Sequence, residues 1–137
     1  MIKVTINGAS GKMGTKVSNL IKNDSSLVEC FDDISCSDLV IDFSQPSSTK
    51  KILKKCVAAK KPIIIGTTGF TNDDLNEIRE AANLIPIVLA ANMSRGMIYL
   101  KKSLASFIHH NQDKLNVTLK RSIILKKSIS LREQLLN

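Results

Sequence analysis

The chain has 137 residues, of which 43% are hydrophobic and 23% are charged, and its formal net charge at pH 7 is +8. This length suits one globular domain and is short for a complete two-domain enzyme. No apolar run approaches the roughly 20 residues of a membrane-spanning helix, and the amino terminus lacks the layout of a signal peptide. We therefore expect a cytoplasmic protein without a membrane partner.

The positive charge is concentrated towards the carboxyl end. Residues 101–137 carry eight of the 20 lysines and arginines but only two of the 12 acidic residues. Proteins that bind single-stranded nucleic acid commonly stack its bases on aromatic side chains, and this segment has only Phe107. Because basic segments are more often solvated faces, we expect no nucleic-acid partner.

The cysteines indicate neither a disulfide framework nor a zinc site. Cys30, Cys36 and Cys56 are odd in number and show no C-x-x-C spacing. We expect reduced thiols and no bound metal.

A strand, a glycine-rich turn and a helix are predicted at the start of the chain. Ile2, Val4 and Ile6 alternate with other residues as in a strand, and residues 12–22 carry apolar side chains at helical spacing. The turn between them, "INGASGKMG", places helix N–H groups where an anion such as pyrophosphate would bind. Its spacing, G-x-x-G-x-x-G, is one residue wider at the first gap than the usual dinucleotide fingerprint. A glycine turn that only packs a helix closely on a strand is the alternative.

Apolar runs and helix-like stretches continue to alternate along the chain. After a second strand near "SLVECF", they lie in the order 38–44, 47–60, 61–69, 72–83 and 84–94. Thr71 and Asp74 have the spacing of a capping box at the start of the last helix of this series. Continuous apolar runs are typical of parallel strands that helices cover on both faces. We therefore predict an α/β fold with a Rossmann-like doubly wound parallel sheet.

Small and polar residues follow each predicted strand. The segments are "NGASGKMG", "DFSQP", "GTTGF" and "AANMS". Because ligands of such sheets bind outside the carboxyl ends of the strands, we expect these segments to gather around one crevice.

Taken in order, "GASGKMG", "VIDFSQP", "IIIGTTGF" and "VLAANMSRGM" resemble dihydrodipicolinate reductase, an NAD(P)H-dependent enzyme family of bacterial lysine biosynthesis. The resemblance covers residues 1 to about 120. It implies a dinucleotide-binding domain over 1–120, with NADPH or NADH as cofactor, and a basic tail over 121–137. It also implies hydride transfer to dihydrodipicolinate, which gives tetrahydrodipicolinate.

The resemblance assigns cofactor contacts to the segments after the strands. The first segment would wrap the pyrophosphate, with Lys12 facing an adenosine 2′-phosphate where the family usually has arginine; a lysine suits either cofactor. Asp32 falls about 20 residues further on, where an acidic residue would bind the ribose, although it would equally serve as a turn or helix cap. The later segments would line the nicotinamide end. The predicted cofactor-binding residues are Gly8, Ala9, Ser10, Gly11, Lys12, Met13, Asp32, Gly66, Thr67, Thr68, Ala90, Ala91, Asn92 and Met93.

The family's second, α+β domain is largely missing from this sequence. The family has some tens of further residues before "DLVIDFS", and its strand resembling "LNVTLK" is followed by a His-His pair, a lysine and Ser-Gly-Thr. Residues 121–137 do not contain this pattern of a His-His pair, a following lysine and Ser-Gly-Thr. His109 and His110 precede that strand, at the end of a helix predicted from about residue 97, where they suit the free carbonyls of the last turn. We predict no catalytic residue, and a small-molecule substrate only if the missing domain is supplied.

Two functions are consistent with this sequence. One is the reductase, and the other is an inactive, truncated remnant that only binds a nucleotide. A frameshift that shortened an ancestral reductase would explain the basic tail, and we expect residues 122–137 to build no substrate domain. The oligomeric state is left open.

Overall fold

The computed structural model describes residues 1–31 and 33–111. These residues belong to two compact units, 1–93 and from Ser94 onwards. The predictions made for Asp32, for the strand "LNVTLK" and for the tail lie outside the described residues.

The first unit is a five-stranded sheet with helices on both faces. Its elements are β1 (Ile2–Asn7), α1 (Lys12–Lys22), β2 (Leu27–Glu29), a 3₁₀ turn (Ile34–Cys36), β3 (Leu39–Asp42), α2 (Pro46–Ala58), β4 (Ile63–Ile65), α3 (Asn72–Ala81) and β5 (Ile87–Leu89). The strand order is β2-β1-β3-β4-β5, and every pairing is parallel. The predicted doubly wound α/β fold is confirmed.

The sheet buries apolar side chains on both faces, which explains the continuous apolar runs of the central strands β3 and β4. On one face Val4 and Ile6 of β1 pack with Ile21 of α1. The other face is covered by α2 and α3. Its buried cluster comprises Ile34, Val40, Leu53, Cys56, Ile63, Ile65, Ile78, Ala81 and Ile85.

Fewer residues of α1 are buried against the sheet than the number of its apolar residues suggests. Gly14 and Ile21 are buried in this helix, whereas Met13 is 49% exposed and Leu20 is 69% exposed. Residues 14 and 21 lie two turns apart on one side of a helix, and residues 13 and 20 flank that line.

An ion pair and a capping box hold α3 in place. Thr71 and Asp74 form the predicted capping box, each accepting a backbone N–H of the other. The ammonium of Lys50 on α2 lies 2.7 Å from the Asp74 carboxylate and 3.1 Å from that of Glu77. The hydrogen bond from Lys50, followed by those from Thr71, lowers the pKa of Asp74 to about 2, and the Asp74 carboxylate in turn raises the pKa of Lys50.

The expectation of reduced thiols is wrong for two of the cysteines. Cys30 follows β2, Cys36 ends the 3₁₀ turn, and the two form a disulfide. Their Cα atoms lie 6.9 Å apart at a sequence separation of six, so the sulfurs meet without any C-x-x-C spacing. Cys56 is free and buried as expected. Burial raises the pKa of its thiol to about 11, and the negative charge of Asp42 adds to this effect.

The described part of the second unit is α4 (Arg95–His110). Ser94 caps it by accepting the N–H of Met97 at 3.4 Å. In the last turn Nδ1 of His110 lies 2.8 Å from the carbonyl oxygen of Ser106, within the same helix. Over residues 1–31 and 33–111, helices long and apolar enough to cross a membrane do not occur.

Candidate functional site

The crevice expected of a doubly wound sheet lies between β1 and β3. These strands are neighbours, but the chain leaves β1 towards β2 on one side and β3 towards β4 on the other. Such a reversal opens a space beyond the strand ends, where ligands bind. A cleft of about 360 Å³ lies there. It is lined by Lys12, Met13, Phe43, Ser44, Gln45, Pro46, Gly66, Thr67 and Thr68.

Two glycines allow the loop after β1 to pack tightly. Gly8 has a φ of +86°, and a β-carbon on it would lie 2.6 Å from the carbonyl oxygen of Phe43. A β-carbon on Gly14 would lie 2.0 Å from the carbonyl oxygen of Gly8. Close packing therefore accounts for both glycines, as the alternative interpretation of this motif proposed. These two glycines therefore do not by themselves indicate a ligand site.

The amino terminus of α1 has other features that bear on ligand binding. Gly11 is its N-cap and has no side chain, so no side chain caps the first N–H groups. The first turn carries no acidic residue, and Lys12 at the first helical position is exposed and lines the cleft. Uncapped N–H groups, the helix dipole and a lysine all favour an anion at this point.

A buried carboxylate connects the loops around the cleft. Asp42 at the end of β3 is fully buried. Its Oδ1 accepts hydrogen bonds from Asn7 Nδ2 at 2.7 Å and Ser44 Oγ at 2.5 Å. Its Oδ2 accepts from Thr49 Oγ1 at 2.5 Å and Thr67 Oγ1 at 2.9 Å. Four donors satisfy both oxygens, so the charge is stabilised without a cation.

The sequence prediction did not single out Asp42. The sequence does contain a pattern that would have predicted a role for Asp42, because this acidic residue directly follows the apolar run "LVI" and precedes hydroxyl residues. An acidic residue at the end of a buried strand needs hydrogen-bond donors nearby.

Phe43 is a second residue that the sequence prediction missed. A β-carbon on Gly66 would lie 2.1 Å from Cε1 of the Phe43 ring. A side chain at position 66 would therefore meet an aromatic ring of the protein itself, whether or not a ligand is bound. The ring forms part of the cleft wall.

The residues predicted to bind a cofactor lie in three places. Lys12, Met13, Gly66, Thr67 and Thr68 line the cleft, and Gly8–Gly11 form the loop that leads into α1. The third group, Ala90, Ala91, Asn92 and Met93, follows β5, the neighbour of β4, and is not part of the cleft lining. Strands β4 and β5 are held together at this end by the Ala90 N–H, which donates to the carbonyl of Ile65 at 3.0 Å. In the part of the chain that the structure describes, groups of three His, Cys, Asp or Glu side chains suited to a metal ion are absent.

The strand order and the cleft define an α/β protein of the Rossmann-like class, and comparison with solved structures agrees. A dipicolinate-bound dihydrodipicolinate reductase from Paenisporosarcina sp. TG-14 superposes with a TM-score of 0.62 at 22% sequence identity. The match covers 79% of this chain and 53% of that structure.

Comparison of sequences gives the family. A family profile described as "Dihydrodipicolinate reductase, N-terminus" matches residues 24–93, and the chain belongs to this family. Proteins named 4-hydroxy-tetrahydrodipicolinate reductase are similar to it. That of Campylobacter jejuni serotype O:6 is 36% identical, over 73% of this chain and 45% of its own length. That of Alkaliphilus oremlandii is 40% identical, over 67% of this chain and 42% of its own length. That of Clostridium perfringens is 34% identical, over 82% of this chain and 54% of its own length. The chain thus spans about half the length of the relatives that it matches.

Proposed function

We propose that this chain binds NADPH or NADH in the cleft and forms the cofactor-binding part of a reductase of lysine and diaminopimelate biosynthesis. The amino terminus of α1, uncapped by any side chain and flanked by Lys12, opens into a cleft at the β1/β3 reversal. That observation carries the proposal. Family membership and the names of the matched relatives support it.

The pyrophosphate of the cofactor fits the loop from Gly8 to Met13. Backbone N–H groups at a helix start are good donors to phosphate oxygens, and Ala9 and Ser10 would add theirs. Lys12 would provide a point charge for phosphate, including an adenosine 2′-phosphate.

The nicotinamide end would lie along Gly66, Thr67 and Thr68, with the Ala90–Met93 segment beside it. A bound nicotinamide would supply the hydride for reduction of dihydrodipicolinate. The chain's own contribution would be to hold the cofactor and to shield it with the Phe43 side of the cleft. We assign no catalytic residue to the chain.

A nucleotide-binding protein without turnover is the second candidate. It is favoured by the described residues, whose cleft accounts for a cofactor but in which we assign no residue to substrate binding or proton transfer. Catalysis requires the substrate to be held in line with the cofactor and a proton donor to be near the developing charge.

Fluorescence titration with NADPH and NADH tests the cofactor site. We expect saturable binding, weakened about tenfold for NADPH by Lys12→Ala, and unchanged by Lys16→Ala one turn further along α1. A lack of binding would contradict the proposal. Oxidation of NADPH with fresh dihydrodipicolinate then separates the two candidates, because a rate above background would exclude the inactive protein.

A further inference from the structure

The hydroxyl of Thr67 is already engaged within the protein. Thr67 follows β4 and is 5% exposed. Its Oγ1 donates to Asp42 Oδ2 at 2.9 Å and accepts the backbone N–H of Ser44 at 3.0 Å. A hydroxyl has one proton to donate, so Thr67 has none left for a bound molecule.

These bonds join the loops on either side of the cleft. Ser44 is held twice, since its N–H donates to Thr67 and its hydroxyl donates to Asp42. Asn7 at the end of β1 donates to the same carboxylate. The ends of β1, β3 and β4 are therefore connected through Asp42.

Thr68 differs from Thr67 in both exposure and hydrogen bonding. Its side chain is exposed, lines the cleft and makes no hydrogen bond with the described residues. Its hydroxyl is thus available to a ligand.

We propose that Thr67 is a positioning residue, which acts through Asp42 and Ser44 to hold the cleft loops at the spacing that the dinucleotide requires, whereas the Thr68 hydroxyl contacts the ligand. This inference rests on the proposed function. Without the Thr67 hydroxyl, a buried carboxylate oxygen and the Ser44 N–H each lose a partner. The loops would then have to be ordered again on binding, which lowers affinity.

The test compares Thr67→Val, which keeps the shape of the side chain but removes the hydroxyl, with Thr67→Ser, which keeps the hydroxyl. NADPH affinity is measured by fluorescence titration, and amide hydrogen exchange at Ser44 is measured in the cofactor-free protein. Thr67→Val should weaken binding about tenfold and accelerate exchange at Ser44, and Thr67→Ser should remain within about twofold of wild type in both. Thr68→Val should weaken binding but leave exchange at Ser44 unchanged.

The outcomes separate this inference from the proposed function. No NADPH binding by the wild-type chain overturns the proposed function, and the positioning role with it. Binding by the wild type together with equal affinity in Thr67→Val, or unchanged exchange at Ser44, overturns the inference alone. If Thr67→Val does not fold, Thr67→Ala replaces it, and wild-type affinity in that variant overturns the inference.

Discussion

Gly14 in α1 packs directly against Gly8 in the preceding loop, so that a β-carbon on Gly14 would lie 2.0 Å from the Gly8 carbonyl oxygen. The backbone contact fixes where α1 starts relative to the end of β1. It therefore sets the position of the helix N–H groups at the cleft.

Substitution at Gly14 should reverse the usual effect of replacing a helical glycine. Glycine to alanine inside a helix normally stabilises a protein by up to about 1 kcal/mol. Gly14→Ala should instead destabilise by about 2 kcal/mol or more, because the new methyl group would overlap backbone. Urea unfolding measures this change. The matched control is Gly96→Ala in α4, where a β-carbon would meet only Ser94 Oγ, at 3.8 Å, and which should be neutral or stabilising. Equal effects at both positions would contradict the packing argument.

Gly66 and Phe43 should be energetically coupled. Gly66→Ala would place a methyl group 2.1 Å from Cε1 of the Phe43 ring, so the ring must shift, and the substitution should cost about 1–3 kcal/mol by overpacking. Phe43→Leu removes the ring atoms that would be overlapped, so the double variant should be more stable than the sum of the single effects predicts. Denaturant unfolding in a double-mutant cycle gives the coupling, expected at about 1 kcal/mol or more. Additive effects would show that the ring moves aside without cost.

The ion pair of Asp74 should make stability depend on acid pH. Its pKa is lowered from 3.8 to about 2 in the folded protein, so this contribution is complete above pH 3.8 and is lost as the pH falls towards 2. The free energy of unfolding should therefore decrease over this window, and Asp74→Asn should flatten the decrease. Asp73→Asn, a neighbouring exposed carboxylate, is the charge control. An unchanged slope in Asp74→Asn would contradict the assignment.

The disulfide predicts a thiol count and a stability difference. Oxidised protein unfolded without reductant should show one reactive thiol, that of Cys56, and reduced protein should show three. Reduction should lower the free energy of unfolding by about 2 kcal/mol, the value expected for a short closed loop. Three thiols in protein purified under oxidising conditions would contradict the Cys30–Cys36 pairing.

The sequence predicted the parallel sheet well because the central strands β3 and β4 have buried or half-buried side chains on both faces, which gives continuous apolar runs such as "PIIIG". The capping box of Thr71 and Asp74 was also predictable, since both partners lie within one helical turn.

The interactions that shape the cleft join residues distant in the sequence, and they were not predicted. Asn7, Asp42 and Thr67 meet only because β1, β3 and β4 are adjacent, and Phe43 meets Gly66 because β3 and β4 are paired. Local patterns carry no information on which strands will be neighbours. The Cys30–Cys36 disulfide was missed for a related reason, because it depends on how the chain turns after β2.

The most direct test of the central claim, that the dinucleotide binds at the amino terminus of α1, is to measure how backbone amide chemical shifts of the chain change when NADPH is added. If the dinucleotide binds at the amino terminus of α1, saturating NADPH should shift the amides of Gly8–Met13, Ser44 and Gly66–Thr68 most strongly. Amides of α3, from Asn72 to Ala81, should remain near their original positions. Shifts confined to residues outside the cleft, or no shifts at saturating NADPH, would contradict the account.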